Sequence, residues 1–442
     1  MSAFLGMSKV SDWATGARPK NYREMILWLY PNGRAQLTAL TSLMKKEVLS
    51  DYEYNWYTQT FPTQTATYTA GEIYTGPGIT NAYTGSGVEG QTLNVKMAEA
   101  FADEFRVGHE VVIIDEDNFV TRAVAKVVNV IKNGASSYIA CKLLEDDDNG
   151  SGGTNSDLRD CDTVAIIGNV NPQGGVTPAA ISYQPTKYFN YTQIFRTPLE
   201  LARTTMKIKS RTGNTYNNLK RVAAELHAFE QEKAWHLGVP TENTGENGQP
   251  ETTTEGLITF MQRTLSSHVR DYRKLTAYAG KTWLEGGDDF LLDSFELLTR
   301  YNNEGGDDNY MIYAGSGAIK YLEQLARQTG QLRLLPKEKI GYGIKVNTLV
   351  NSFGDWNLNV HPWYSTEAFM RNSMLILKPQ NIRYRFIDDT KFYGQSGKDY
   401  AYTASGKKID GLNEEFLTEA GLEYHHPQTC MFLYNLGQTN TA

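Results

Sequence analysis

Leu219, Val222, Ala223, Leu226, Phe229 and Ala234 recur at the spacing of a helix with one apolar face. Asn214 stands where an N-cap belongs, and Gly238 and Pro240 stop the pattern. The spacing therefore predicts a helix over about 214–237, roughly 35 Å long at ~1.5 Å per residue. It is the longest uninterrupted helical signal in the chain, and other segments must pack along it. Just upstream, Thr197, Pro198, Leu199 and Glu200 have the layout of a capping box with proline at the first helical position, which predicts a shorter helix that Gly213 ends.

Residues 1–19 are small and polar and read as an arm. Tyr22, Met25, Ile26 and Leu29 predict a short helix over Asn21–Leu29, closed by Pro31, Asn32 and Gly33. Leu37, Leu40, Met44 and Val48 predict a second. Neither has a core of its own, so both must dock elsewhere. After Ser50 the pattern changes to an aromatic, threonine-rich stretch with a partial period of two, running into a glycine-rich tip at 75–90. An extended hairpin or long loop is expected there, with strand edges that need a partner. Residues 105–168 carry four β-branched runs, Glu110–Ile114, Val120–Ile131, Tyr138–Leu144 and Thr163–Ile167, separated by turn signals, and predict a small barrel or curled sheet.

Beyond Gly238, residues 239–255 read as a polar surface loop. Helical patterns follow at Gly256–Tyr272 and Phe290–Tyr301. Strand Tyr310–Ala314 feeds a helix Ala318–Arg327, and strands are expected at Ile344–Val350, Trp356–Pro362, Met374–Leu377, Ile382–Phe386 and Cys430–Leu436. The class is α+β.

A chain of 442 residues exceeds what one compact core usually serves. Its net charge of -7 argues against broad clamping of nucleic acid. One local exception runs from Leu201 to Ala224, where Arg203, Lys207, Lys209, Arg211, Lys220 and Arg221 occur without an Asp or Glu between them. That stretch is either a solvated face or a surface for an acidic partner or polyanion. The 27 tyrosines, with the tryptophans, suit surfaces that bury against partners; Trp56, Tyr57, Tyr68, Tyr74 and Tyr83 are the candidates in the strand-like region. Cys141, Cys161 and Cys430 are odd in number and lack metal-ligand spacing. No apolar run approaches the ~20 residues that span a bilayer, so no membrane insertion is expected.

Candidate chemistry is sparse. Gly85-Ser86-Gly87 with Gly90 matches a dinucleotide glycine pattern but lacks a buried strand before it. Residues 145–156 fail as a calcium loop because Ser156 falls where a bidentate carboxylate is needed. The seven histidines are scattered, and no metal or cofactor is expected. Ala314-Gly315-Ser316-Gly317-Ala318, between strand and helix and followed by Asp355 and His361, has the order of an α/β-hydrolase triad, so a serine hydrolase using Ser316 is the alternative reading.

The order of parts resembles the major capsid protein of tailed double-stranded DNA bacteriophages, in the branch with an enlarged insertion near its extended loop, a fold shared with encapsulins and herpesvirus capsid floor domains. The passages that carry the resemblance are Pro31–Trp56, Phe105–Val130, Phe189–Thr205, Ala223–Gly238, Phe353–Ser365 and Met374–Ile387. The resemblance implies an N-terminal arm (about 1–50), an extended loop with a β-rich insertion (51–185, the insertion about 101–170), a peripheral domain on the long helix (186–255 with 366–442) and an axial domain (256–365). It further implies a non-enzymatic subunit forming pentamers and hexamers of an icosahedral shell. The implied partners are other copies of the chain, portal, scaffold or decoration proteins, and weakly held DNA, in a virion assembled in the host cytoplasm. No long N-terminal scaffolding segment is evident, so scaffold would be separate, absent or removed.

Overall fold

The computed structural model describes residues 35–442 except 42–43, 60–61, 63, 148–156, 209–213, 301–309, 330–332, 341–343, 352–353, 395–400 and 403–407. The expected helix at Asn21–Leu29 lies outside the described residues. The chain divides into two compact units, residues 59–186 and the sequence on either side of them.

The flanking unit is built on two sheets. The first has the order Lys45–Val48, Ile382–Tyr393, Gly411–Tyr424, Gln193–Ala202, parallel at its first pair and antiparallel thereafter. The second, of seven strands, is centred on Tyr310–Ala314, which pairs parallel with Gly354–Val360 and antiparallel with Met374–Leu377. Tyr310–Ala314 and Met374–Leu377 are buried at every position, which explains why their sequences are unbroken apolar runs instead of alternating ones. Helices Trp283–Thr299 and Ser316–Thr329 supply Phe290, Phe295, Leu322 and Leu325 to the core around these strands. Thr282 and Glu285 form a reciprocal capping box that starts the first of these helices.

Two helical expectations fail for one reason. Gln193–Ala202 is a strand, with Phe195, Thr197, Leu199 and Leu201 facing in and the residues between them facing out. Pro198 is tolerated because this strand is the sheet edge, where a missing N–H breaks no ladder. Helix begins only at Arg203–Lys207. Nearer the N-terminus, Gln36–Thr41 is helical, but Lys45–Val48 is a strand in register with Arg383–Phe386. In both places pairing with a distant strand overrides a local helical pattern. The polar connector after Gly238 is likewise an antiparallel hairpin, Thr241–Thr244 with Pro250–Thr253.

The unit of residues 59–186 is a seven-stranded sheet in the order Thr65–Thr67, Thr163–Asn169, His109–Ile114, Arg122–Ile131, Tyr138–Leu143, Thr92–Lys96, Ile73–Tyr74. Val111, Ile113, Ala123, Ala125, Val127, Ile139 and Cys141 alternate inward along the central strands. The four strands expected in 105–168 lie within two residues of where the sequence put them. The expected reaching hairpin at 68–90 is different: Tyr68, Ile73 and Tyr83 belong to this unit's core. Its glycines serve the turn, Gly85 at a φ of 94° and Ser86 at 64°, consistent with a loop and not with a nucleotide-binding strand-to-helix turn.

Candidate assembly surface

The long helix runs Thr215–Leu237. Asn214 caps it, its side chain accepting from the Asn217 N–H at 3.3 Å, and Gly238 closes it. What it buries differs from the expected stripe. The inner face holds Ala223, His227, Gln231, Glu232, Trp235 and His236, while Val222 is 37% and Leu226 50% exposed. Leu219 and Phe229 are half-buried, and Leu237 is exposed.

The polar inner face is satisfied by partners from distant segments. His227 Nδ1–H donates to Thr197 Oγ1 at 3.0 Å, leaving Nε2 to accept from Gln231 Nε2 at 2.9 Å, and Thr418 Oγ1 lies 2.8 Å from the same nitrogen. Burial holds the His227 pKa below its usual value. Further along, the Glu232 carboxylate accepts from the N–H groups of Leu37 (2.9 Å) and Thr38 (2.7 Å), from Thr38 Oγ1 (2.8 Å) and from His361 Nε2 (2.7 Å). It thus fixes the first turn of the helix Gln36–Thr41. Burial alone would raise the pKa of Glu232, but the bond from His361 and the nearby histidines and N–H groups hold it below the usual range. Burial also lowers His236 to about 4.

Among the described basic residues, three have partners within the chain. Arg203 pairs with Asp410 at 2.5 Å, Arg221 with Glu225 at 3.3 Å, and the Lys220 ammonium sits 3.5 Å from the centre of the Phe392 ring. Lys207 is exposed at the end of Arg203–Lys207, and Lys209 and Arg211 lie outside the described residues.

Among the aromatic candidates, Tyr57 is 63% exposed. Trp56 is instead a core residue: its indole N–H donates to the Tyr424 carbonyl at 2.9 Å and its ring packs on Tyr54, Tyr188 and Phe260. Tyr68 is buried, and so is Tyr83, whose hydroxyl donates to Asp147 and accepts from the Gly87 N–H. Tyr74 is half-buried and donates to Glu72 at 2.6 Å. Strand alternation explains the split, since Glu53–Thr58 alternates exposed and buried and puts Trp56 inward and Tyr57 outward.

The hydrolase alternative is not supported. Ser316 is the first residue of a helix, and its N–H donates to Ser365 Oγ at 3.1 Å. The His361 ring is fully buried and its Nε2 is committed to Glu232, so it does not serve as a base for an exposed serine. The sequence reading missed the grouping of Glu232, His236 and His361, although the one-turn spacing of the first two on a helix was a visible signal.

The major capsid protein of Pseudomonas phage PaMx41 is 24% identical over 285 residues, covering 61% of this chain. The chain spans 65% of that relative's length. Among solved structures, the capsid of a native GTA particle is similar at a TM-score of 0.41 and 8% identity, covering 97% of this chain and 99% of that one. Microbacterium phage Oxtober96 gives a TM-score of 0.41 at 8% identity, covering 94% and 95%. The SrpI encapsulin of Synechococcus elongatus gives 0.37 at 10% identity, covering 59% and 79%. The family model described as SU10 major capsid protein matches residues 10–437, and the chain belongs to that family.

Proposed function

We propose that copies of this chain close into pentamers and hexamers that tile an icosahedral phage head around double-stranded DNA, the chain being a structural subunit and not an enzyme. Membership of the family supports the role. The observation on this chain that carries self-assembly is the outward stripe of the long helix, where Val222 and Leu226 stay wet while polar residues are turned inward. A helix that buries its histidines and exposes its leucines has an apolar face left for another molecule. Covering the exposed half of Leu226 is worth about 1 kcal/mol. Tyr57 and Val48 are further exposed side chains of the same unit.

In this reading residues 1–50 act as the arm, 51–185 as the extended loop with its insertion, 186–255 with 366–442 as the peripheral domain and 256–365 as the axial domain. Rings of this kind need heterologous contacts, in which one patch meets a different patch on the next copy. The subunit resides in the virion after assembly in the host cytoplasm, with portal and scaffold or decoration proteins as further partners and DNA held weakly, in keeping with the net charge of -7. No described helix is long and apolar enough to cross a membrane.

Negative-stain imaging of the expressed chain tests the proposal. Wild type is expected to give closed particles or capsomers. The double substitution Val222→Asp and Leu226→Asp should leave the circular dichroism and melting of the subunit close to wild type while removing the particles. Particles of normal yield from the double variant would refute the role given to this helix face.

A further inference from the structure

The chain holds four asparagine–glycine pairs, beginning at Asn32, Asn133, Asn149 and Asn247. Asn133 with Gly134 and Asn247 with Gly248 lie among the described residues, and both asparagines are exposed. A glycine after asparagine leaves its backbone nitrogen open to the asparagine side-chain carbonyl, because no Cβ stands in the way. Exposure does not separate the two pairs. Their hydrogen bonds do.

Asn247 sits at the tip of the hairpin that joins Thr241–Thr244 to Pro250–Thr253. The Gln249 N–H donates to Asn247 Oδ1 at 3.1 Å, so the oxygen that takes up negative charge when Cγ is attacked already has a donor. Gly248 stands at a φ of 75°, and no atom lies within 4 Å of where a side chain on it would begin. Its N–H donates to the neutral Gly245 carbonyl at 2.9 Å, a bond within the exposed tip that breaks whenever the turn frays. Gly134 is held differently: its N–H donates to the Glu99 carboxylate at 3.0 Å. A negative charge beside that nitrogen opposes loss of its proton, which attack requires.

We propose that Asn247 is a site of spontaneous deamidation, with water as the co-reactant. The Gly248 nitrogen gives its proton to hydroxide and bonds to Asn247 Cγ. The side-chain nitrogen then leaves as ammonia, taking a proton from water, and a five-membered succinimide remains. One water opens the ring at either carbonyl, giving aspartate or isoaspartate in place of Asn247 and one more negative charge on the chain. Asn247 Oδ1 and a Glu251 carboxylate oxygen lie 3.2 and 3.5 Å from the point where a Gly245 side chain would begin, so the new carboxylate forms beside an existing one. The isoaspartate product also lengthens the main chain between the Gly245 N–H and the Gln249 carbonyl, which are bonded at 2.8 Å. The hairpin base is tied down separately, by Thr252 Oγ1 on the Thr192 carbonyl at 2.6 Å and by the Tyr52 hydroxyl on Glu242 at 2.9 Å, so the loosening is confined to the tip. Nothing in this depends on the chain being a shell subunit.

The test incubates the full chain at mildly alkaline pH, once folded and once in denaturant, and follows each asparagine–glycine peptide by mass spectrometry. In the folded chain Asn247 should convert about tenfold faster than Asn133, the effect of one hydrogen bond to a charged group. In denaturant the two rates should converge, since both pairs then share the same local chemistry. Asn247→Gln should lose the corresponding acidic band on isoelectric focusing, because the longer side chain does not close a five-membered ring. In the converted chain, hydrogen exchange should quicken at Gly245 and Gly248, while Thr241, whose N–H donates to Thr253 Oγ1 at 3.1 Å, keeps its protection. Equal rates at the two asparagines in the folded chain, or a lead for Asn247 that persists undiminished in denaturant, overturns the proposal.

Discussion

At the residue scale the long helix turns four polar side chains, His227, Gln231, Glu232 and His236, inward beside Ala223 and Trp235, while Val222 and Leu226 stay exposed. His227 illustrates the consequence. It is buried as a neutral ring whose Nε2 accepts from Gln231, so protonation removes an acceptor and introduces a charge in one step. Its folded pKa is depressed below 6.5 by burial, so the unfolded chain binds the proton more readily. The stability tied to this residue is therefore fully present above pH ~6.5 and is lost as pH falls through the histidine range toward the folded pKa. Melting of the dissociated subunit between pH 7 and pH 5 should show a steeper loss for wild type than for His227→Gln, whose side chain does not titrate. Parallel pH profiles would remove His227 from the account. None of this was legible in the sequence. A polar residue on a helix is inside or outside according to partners that arrive from elsewhere, here Thr197 and Thr418, and local periodicity carries no information about them.

At the scale of elements, what the sequence made legible was what short-range chemistry decides. Asn214 and Gly238 bound the long helix as expected, and the alternating strands of 105–168 stand where their turn signals put them. Misread elements are those whose state is set by a remote neighbour. The strand Lys45–Val48 is the extreme case, a short parallel edge held to Ile382–Tyr393. Its anchor is a charged ladder: Glu47 pairs with Arg383 at 2.8 Å and with Arg385, and Arg385 also pairs with the buried Glu423. Arg385→Met would leave Glu423 with only His425 beside it and Glu47 with Arg383 and Lys45. Stranding a buried charge of this kind costs about 3 kcal/mol. Hydrogen exchange should quicken at Lys46–Leu49, where Leu49 N–H donates to the Phe386 carbonyl at 2.8 Å, while the long helix keeps its protection. Unchanged exchange at Lys46–Leu49 would mean that backbone pairing alone secures the strand.

For the whole molecule, the decisive feature is that residues 59–186 form a compact unit inserted in the sequence of another. Each has its own apolar core, and the strands at which the chain leaves and returns, Glu53–Thr58 and Thr186–Tyr191, are neighbours in a two-stranded sheet. An insertion whose two connections start side by side can be removed without stretching the host, because closing a short loop costs little and grows only slowly with length. Joining Thr58 to Lys187 through a short glycine and serine linker should therefore leave a flanking unit that melts cooperatively. Residues 59–186 expressed alone should do the same, since their core of Val111, Ile113, Val127, Ile139 and Leu143 is complete within the segment. Calorimetry of both pieces checks this, with two independent transitions expected. If either piece lacks a cooperative transition, the two cores are not autonomous. If both fold and the shortened chain still forms closed particles, the inserted unit is dispensable for assembly and the extended-loop role proposed for 51–185 fails, while the contact through Val222 and Leu226 stands.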